Sequence, residues 1–294
     1  MRVRRSLLPH VYGWLLLLPA AVLLATFTHY PTIASIWESL FQPATATRPG
    51  LFVGLDNYAA MLDDPVFHQA LFNNIWFALG TIPIAVALAI LMALIADSRL
   101  PGRVLMRMAY FTPTILPMIA VANIWLFFYT PGIGLIDQIL GDLGLPGHNW
   151  LGDPNTVMWC LIVMMIWKEA GFFMIFYLAA LQSISPDLRK AAAIEGASRW
   201  TYFRRVTFPL LMPTTLFVLI TALINSFRVV DQLFIMTKGG PDNASMLLLY
   251  YIYETAFSFF DSAEAAAQTV FLLVVLIGLA IGQYLLLEKR IHYR

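Results

Sequence analysis

Long apolar stretches, separated by short polar segments, dominate the hydrophobic pattern of this chain. Six of them exceed the roughly 20 apolar residues that a helix needs to cross a bilayer. They cover residues 12–36, 69–96, 104–130, 155–182, 207–237 and 264–288. The chain is 60% hydrophobic and 12% charged, well outside the range of soluble domains. The pattern predicts an all-α polytopic membrane protein with six transmembrane helices, in one domain of residues 1–294 with a core of about 69–288.

The first stretch follows three basic residues, Arg2, Arg4 and Arg5. A basic start before an apolar run is also typical of a cleaved signal peptide. This apolar run is longer than the hydrophobic region of an ordinary signal peptide and lacks a clear small-x-small cleavage site. We therefore predict a retained helix.

The distribution of Lys and Arg predicts the orientation, because basic residues accumulate in cytoplasmic segments. Of the 18 basic residues, only Arg48 and Lys238 lie in one set of loops, and Lys168 and Arg228 fall inside the apolar stretches. All others lie in alternate segments, namely Arg2, Arg4, Arg5, Arg99, Arg103, Arg107, Arg189, Lys190, Arg199, Arg204, Arg205, Lys289, Arg290 and Arg294. Both termini and residues 185–206 are predicted to be cytoplasmic. The opposite loops, 52–65, 130–154 and 237–245, are acidic or rich in turn residues.

Several functional classes find no support in the sequence. A net charge of +1 gives no reason to expect nucleic acid as a partner. The single cysteine, Cys160, excludes a disulfide framework, and the five histidines match no metal-site spacing, so no metal is expected. The chain has no phosphate-binding loop, G-x-S-x-G or H-E-x-x-H motif, which argues against a hydrolase.

A charged segment between the fourth and fifth stretches, "SPDLRKAAAIEGASRWTYFRRVTFP", is too short and polar to span a membrane. Ser185 followed by Pro186 and Asp187 is a helix-start pattern. The spacing predicts a helix whose small-residue stripe includes Ala191, Ala192 and Gly196 next to Leu188, and in which Glu195 and Arg199 pair at i,i+4. Such a helix suits close docking of a protein partner, or an interfacial anchor without a partner.

Polar residues inside the apolar stretches are candidates for contacts along a substrate pathway, because they are costly in a membrane. Lys168 and Glu169 are sequence neighbours that do not face each other, so each needs a partner elsewhere. Arg228 and Asp231 have the spacing of an ion pair. The alternative role is in helix packing, without substrate contact. The full candidate set is Asn123, Lys168, Glu169, Asn225, Arg228, Asp231 and Gln232.

The charged segment carries a family resemblance. Gly196, followed after nine residues by Val206-x-Phe208-Pro209, resembles the coupling-loop signature E-A-A, three residues, G, nine residues, I-x-L-P of permeases in binding-protein-dependent ABC importers. The glutamate of that pattern is Lys190 here. Further stretches, "FVGLDNY", "IWLFFYTPGIGLI", "VVDQLFIMTKGGPDNAS" and "YYIYETAF", resemble the first of the two permeases in sugar and sn-glycerol-3-phosphate uptake systems.

The resemblance implies an inner-membrane permease with a cytoplasmic coupling helix between helices 4 and 5. Its implied partners are a second permease in a heterodimer, two copies of an ABC ATPase, an extracytoplasmic solute-binding protein and membrane lipid. ATP and Mg would bind the ATPase, with no cofactor on this chain. The implied ATPase-coupling residues are Lys190, Ala191, Ala192, Glu195, Gly196, Ala197, Val206, Phe208 and Pro209.

Two other functions fit parts of the sequence. A membrane-embedded enzyme could use Lys168 and Glu169 as acid and base, and a proton-coupled secondary transporter could use Glu169 or Asp231 as its carrier. Both leave residues 190–213 unexplained. The mixed charges of the pathway candidates favour a neutral sugar or polyol as substrate, with sn-glycerol 3-phosphate as the alternative.

Overall fold

The computed structural model describes residues 8–42, 50–98 and 101–288, and these are predominantly helical. Within them the only strand-like pairing is an isolated bridge between Phe41 and Phe52. The helices are α1 (Leu8–Leu24), α2 (Tyr30–Glu38), α3 (Asp56–Asp63), α4 (Pro65–Asp97), α5 (Arg103–Ile115), α6 (Met118–Phe128), α7 (Leu135–Asp142), α8 (Val157–Ser183), α9 (Pro186–Ile194), α10 (Arg199–Tyr202), α11 (Phe208–Phe227), α12 (Asp231–Met236), α13 (Leu248–Phe257) and α14 (Ser262–Glu288).

Five helical stretches within the described residues are long and apolar enough to cross a membrane. They are Tyr12–Glu38, Pro65–Asp97, Val157–Ser183, Arg199–Met236 and Ser262–Leu286. A sixth crossing results if the bent pair α5 and α6 counts as one span. The predicted all-helical class is therefore confirmed, and the six predicted spans correspond to five or six candidate crossings. The basic residues at 2, 4, 5, 48, 99, 289, 290 and 294, used above for orientation, lie outside the described residues.

Two π-helical turns lie in long helices, and each ends two residues before a proline. Residues Ala25–His29 join α1 to α2, and residues Phe203–Thr207 join α10 to α11. A proline has no N–H to donate and its ring clashes with the carbonyl four residues earlier. For Pro31 and Pro209 those carbonyls belong to Phe27 and Arg205, which lie inside the two π turns. The wider turn lets the helix continue past each proline.

The third apolar stretch is broken, so the prediction of one helix over 104–130 was wrong. Helix α5 ends at Ile115, and α6 starts at Met118 after a bend of 99°. Leu116 has extended backbone angles, as expected for a residue that precedes a proline. Pro117 then lacks the N–H that would continue the helix.

The fifth stretch was also predicted as one helix, over 207–237, and this was wrong at both ends. The helical segment already begins at Arg199, and α11 ends at Phe227. Residues 228–230 leave the helix before α12 begins at Asp231. In the predicted loops 52–65 and 130–154 the structure places the short helices α3 and α7, and α13 begins after the predicted loop 237–245.

The chain forms two compact units, Met1–Asp63 with Glu254–Leu272, and Asp64–Tyr253 with Leu273–Arg294. The core of the second unit brings together α4, α8 and α11. On α4 it uses a stripe of fully buried alanines, Ala85, Ala89, Ala93 and Ala96. Small side chains allow helices to approach closely where the bilayer supplies no hydrophobic drive. The larger partners are Phe173, Met174, Tyr177 and Leu181 on α8, and Leu211 and Val218 on α11.

Candidate functional site

The charged segment folds into an exposed helix, α9, whose start agrees with the prediction. Ser185 is the N-cap, and its hydroxyl accepts a hydrogen bond from the Asp187 N–H at 3.3 Å. The helix ends in a Schellman turn. There the Gly196 N–H donates to the Ala193 carbonyl at 3.1 Å, and the Ala197 N–H donates to the Ala192 carbonyl at 2.9 Å.

Gly196 has a φ of +71°, so it terminates the helix instead of belonging to its small-residue stripe. The predicted stripe was therefore wrong at this position. The predicted helical pair of Glu195 and Arg199 was wrong too, because the helix has ended and the described residues show no ion pair between them. Lys190 instead contacts Asp187 at 2.8 Å in an exposed i,i+3 pair.

The segment presents apolar side chains to the outside, next to its charges. The side chains of Ile194 and Trp200 are 88% and 67% exposed. Trp200 stacks on Phe203, with ring centroids 5.6 Å apart. Phe208 and Pro209 are exposed at the first turn of α11, and Val206 is half-buried. This mixture of apolar and charged groups is typical of a surface that binds another protein.

The second candidate region surrounds the break between α5 and α6, where Lys168 of α8 satisfies backbone carbonyls. The Lys168 ammonium donates to the Leu116 carbonyl at 2.7 Å and to the Pro113 carbonyl at 3.3 Å. Its partners are thus freed backbone groups of another helix. Sequence reasoning predicted a partner elsewhere but could not identify it, since the break itself was not predicted.

Gly171 on α8 explains how the lysine reaches this break, and the sequence analysis missed it. A Cβ atom at Gly171 would lie 2.0 Å from the Tyr110 carbonyl oxygen, so only glycine permits this approach of α8 to α5. The Thr114 hydroxyl also lies 3.4 Å from the Lys168 carbonyl oxygen. The available signal was a lone glycine inside an otherwise apolar stretch.

Glu169 meets a second candidate, Asn225 of α11. The Asn225 amide donates to the Glu169 carboxylate at 3.1 Å, although the residues are 56 positions apart. Both side chains are half-buried. The structure therefore brings these two predicted pathway residues together as a polar pair between α8 and α11.

The remaining candidates are more dispersed. Arg228 and Asp231 are both exposed, and the described residues contain no ion pair between them. Asn123 is exposed and donates to the Ile119 carbonyl of its own helix at 2.8 Å. Gln232 is 2% exposed, and its amide nitrogen has no hydrogen-bond partner within the described part of the chain. It lies on α12, which packs against α6.

Comparison with known proteins identifies the family. The family described as the binding-protein-dependent transport system inner membrane component matches residues 72–293. This chain belongs to that permease family. The trehalose/maltose transport system permease protein MalF of Thermococcus litoralis is 34% identical over 82% of each chain. The sn-glycerol-3-phosphate transport system permease protein UgpA of Yersinia enterocolitica is 30% identical over 96% of this chain and 95% of its own.

A solved structure has the same fold. It is a bacterial ABC transporter involved in the import of the acidic polysaccharide alginate, and one of its chains superposes with a TM-score of 0.86. The two chains are 23% identical, with 98% of this chain and 99% of the other covered. The relatives are named permeases, so the chain is a multi-pass membrane transport subunit and not an enzyme.

In this permease a pair of asparagines on α4, missed by the sequence analysis, organises the region around the second break, which is the non-helical segment 228–230 between α11 and α12. Buried Asn74 donates to the Ser226 carbonyl at 3.0 Å and accepts from the Leu248 N–H at 3.1 Å. Asn73 donates to the carbonyls of Asn243 and Met246 at 2.8 and 2.9 Å. The two amides therefore hold the end of α11, the 237–247 loop and the start of α13 together.

The connection between α6 and α8, which includes the short helix α7, is organised by Asp137 of α7. Its carboxylate accepts hydrogen bonds from the Gly132 N–H and the Trp150 indole, each at 2.8 Å, and from the His148 N–H at 3.3 Å. These donors favour the charged form and hold the pKa of Asp137 below its ordinary value. Among the described residues there is no cluster of His, Cys, Asp or Glu that could hold a metal ion.

Proposed function

We propose that this permease forms half of the translocation pathway of an ABC importer, with residues 1–294 acting as one transmembrane domain. A second permease would complete the pathway, an extracytoplasmic binding protein would deliver the substrate, and two ATPase subunits would drive transport. The observation that carries the proposal is the exposed segment around α9 in a chain of the binding-protein-dependent family.

The coupling surface is the exposed segment from Lys190 to Pro209, including Ala191, Ala192, Glu195, Gly196, Ala197, Val206 and Phe208. It lies in the cytoplasm if basic residues mark the cytoplasmic side, as do both termini. The helical path from Arg199 through α11 is continuous, so movement of the segment is passed directly into a membrane span. ATP and Mg bind the ATPase, and this chain supplies no cofactor site.

The polar candidates for the pathway lie on the broken and neighbouring spans, and they are Asn123, Lys168, Glu169, Asn225, Arg228, Asp231 and Gln232. The Glu169–Asn225 pair offers both an acceptor and a donor to sugar hydroxyls. The Lys168 ammonium donates to backbone carbonyls, so this cation is not available to an anionic ligand. A neutral sugar or polyol is therefore the favoured substrate.

A second substrate class, sn-glycerol 3-phosphate or another phosphorylated glycerol compound, is favoured by one observation. Arg228 is exposed and is not paired with Asp231 in the described structure, so it remains available to an anion. One of the relatives carries sn-glycerol-3-phosphate in its name, and another carries trehalose and maltose.

The test is affinity purification of the tagged chain from its native membrane, followed by identification of co-purifying proteins and reconstitution. We expect a second permease and an ATPase, and uptake that needs ATP and a solute-loaded binding protein. The binding protein is loaded in turn with trehalose, maltose, glycerol and sn-glycerol 3-phosphate. If trehalose, maltose and glycerol stimulate ATP hydrolysis and sn-glycerol 3-phosphate does not, the result supports a neutral sugar or polyol as substrate. Proton-driven uptake by the isolated chain would overturn the proposal.

A further inference from the structure

Lys168 lies where two backbone carbonyls have lost their ordinary helical partners. The Pro113 carbonyl would normally accept from the N–H of residue 117, but residue 117 is a proline and has none. The Leu116 carbonyl lies outside both helices. Unsatisfied carbonyls are costly at membrane depth because no water replaces the missing donor. The lysine ammonium reaches both of them.

The charge of Lys168 suits this position for a second reason. The last turn of a helix carries partial negative charge, and a cation there is stabilising. The ammonium therefore compensates the carbonyl end of α5 both by hydrogen bonding and by charge. The same two hydrogen bonds offset the cost of burying the Lys168 charge. The neighbouring Glu169 carboxylate accepts a hydrogen bond from Asn225.

The backbone of α8 is held against α5 at the same level. Gly171 follows Lys168 by three residues, so both point from one face of α8. The Gly171 Cα lies so close to the Tyr110 carbonyl that no side chain fits between the helices. The close contact between Gly171 and Tyr110 therefore fixes the backbone of α8 beside the break. The position of the Lys168 ammonium depends on this contact as well as on its own flexible side chain.

We infer that Lys168 is a positioning residue that holds the 99° bend between α5 and α6. The bend determines where α6 lies, and α6 packs against α12, which carries Asp231 and Gln232. The role of the bend in transport rests on the proposed function. The role of Lys168 in holding the bend does not.

The substitution series separates a positioning role from substrate contact. Lys168→Met keeps an unbranched stem and removes the donors. Lys168→Arg keeps the charge and several donors, and Lys168→Gln keeps an uncharged amide. Lys238→Met is the matched control, since Lys238 is an exposed loop lysine.

The bend is measured by the distance distribution between spin labels at Leu105→Cys on α5 and Phe127→Cys on α6, in a Cys160→Ser background. Both label sites are exposed, and the measurement uses the chain purified from its membrane together with the proteins that co-purify with it. We expect a broadened or shifted distribution in Lys168→Met, an intermediate one in Lys168→Gln, and the parent distribution in Lys168→Arg and Lys238→Met.

Uptake provides the second readout. We expect the maximal uptake rate of Lys168→Met to fall about tenfold, the scale of one lost charged hydrogen bond, with KM changed less than about twofold. Lys168→Arg should restore the rate. An unchanged distribution with a raised KM would instead make Lys168 a substrate contact. If Lys168→Met does not assemble, the Arg and Gln variants decide, and Arg failing as badly as Gln overturns the inference.

Loss of all uptake in the parent assembly would count against the proposed function and not against this inference. The label distances report the bend whatever the chain transports.

Discussion

At the scale of single residues, Gly171 and Gly196 are each required to be glycine, but for different physical reasons. Gly171 is required by space, because any Cβ would collide with the Tyr110 carbonyl. Gly196 is required by backbone geometry, because its φ of +71° is strained for residues with a side chain, while nothing lies within 4 Å of where its Cβ would be. The two positions therefore respond differently to the same substitution.

Gly196→Ala should weaken the turn that ends α9 by about 1–2 kcal/mol, the cost of a left-handed conformation for an ordinary residue. We expect reduced co-purification of the ATPase and reduced uptake, with normal amounts of the chain in the membrane. Gly196→Asn should retain most of both, since asparagine tolerates this conformation.

Ala191→Leu is the comparison variant, because it adds bulk to the proposed coupling surface on α9 without backbone strain. If Gly196→Asn fails as completely as Gly196→Ala, the turn geometry is not what the partner requires. If only Ala191→Leu fails, the alanine face itself is the docking surface.

At the scale of elements, both interrupted spans are completed by side chains from other helices. Lys168 of α8 satisfies carbonyls at the break after α5, and Asn74 of α4 satisfies the Ser226 carbonyl near the end of α11. A break inside a span frees backbone groups that lipid cannot satisfy. Each break is therefore stable only in the presence of its partner helix.

Asn74→Leu should destabilise the chain by about 2–5 kcal/mol, because it leaves the Ser226 carbonyl and the Leu248 N–H buried without partners. We expect a lower apparent melting temperature of the purified assembly in detergent, measured by tryptophan fluorescence. The control is Thr221→Val, which removes a hydroxyl bonded only to the Phe217 carbonyl of its own helix. Equal melting temperatures for the two variants would show that the Asn74 contacts do not stabilise the second break.

At the scale of the whole molecule, the extent of the candidate spans follows from apolar length, and the orientation is predicted from charge. Nothing in an apolar helix distinguishes its two ends, so the side of the coupling segment depends on the basic residues that flank the spans.

The orientation is tested with single cysteines in a Cys160→Ser background and a membrane-impermeant maleimide applied to intact cells. We expect labelling of Asp142→Cys, in an outer loop, and none of Ala191→Cys until the membrane is opened. Both parent residues are exposed in the structure. Labelling of Ala191→Cys alone in intact cells would reverse the proposed orientation.

The interruptions of the spans were beyond sequence reasoning even where their cause is visible. Pro113 and Pro117 both lie in the third apolar stretch, but α5 continues through Pro113 and ends before Pro117. A proline weakens a helix locally, and neighbouring helices decide whether the freed carbonyl is satisfied. The same limit applies to residues 228–230, where no proline marks the break.

The sequence by itself determined the membrane class, the approximate extent of the spans, the start of α9 and the family signature, because these depend on composition and on residues close together along the chain. Only the tertiary structure decided that Glu169 meets Asn225 across 56 positions and that Lys168 binds backbone carbonyls of the break after α5. Those contacts join separate helices, and their energy comes from satisfying polar groups that the membrane leaves without water.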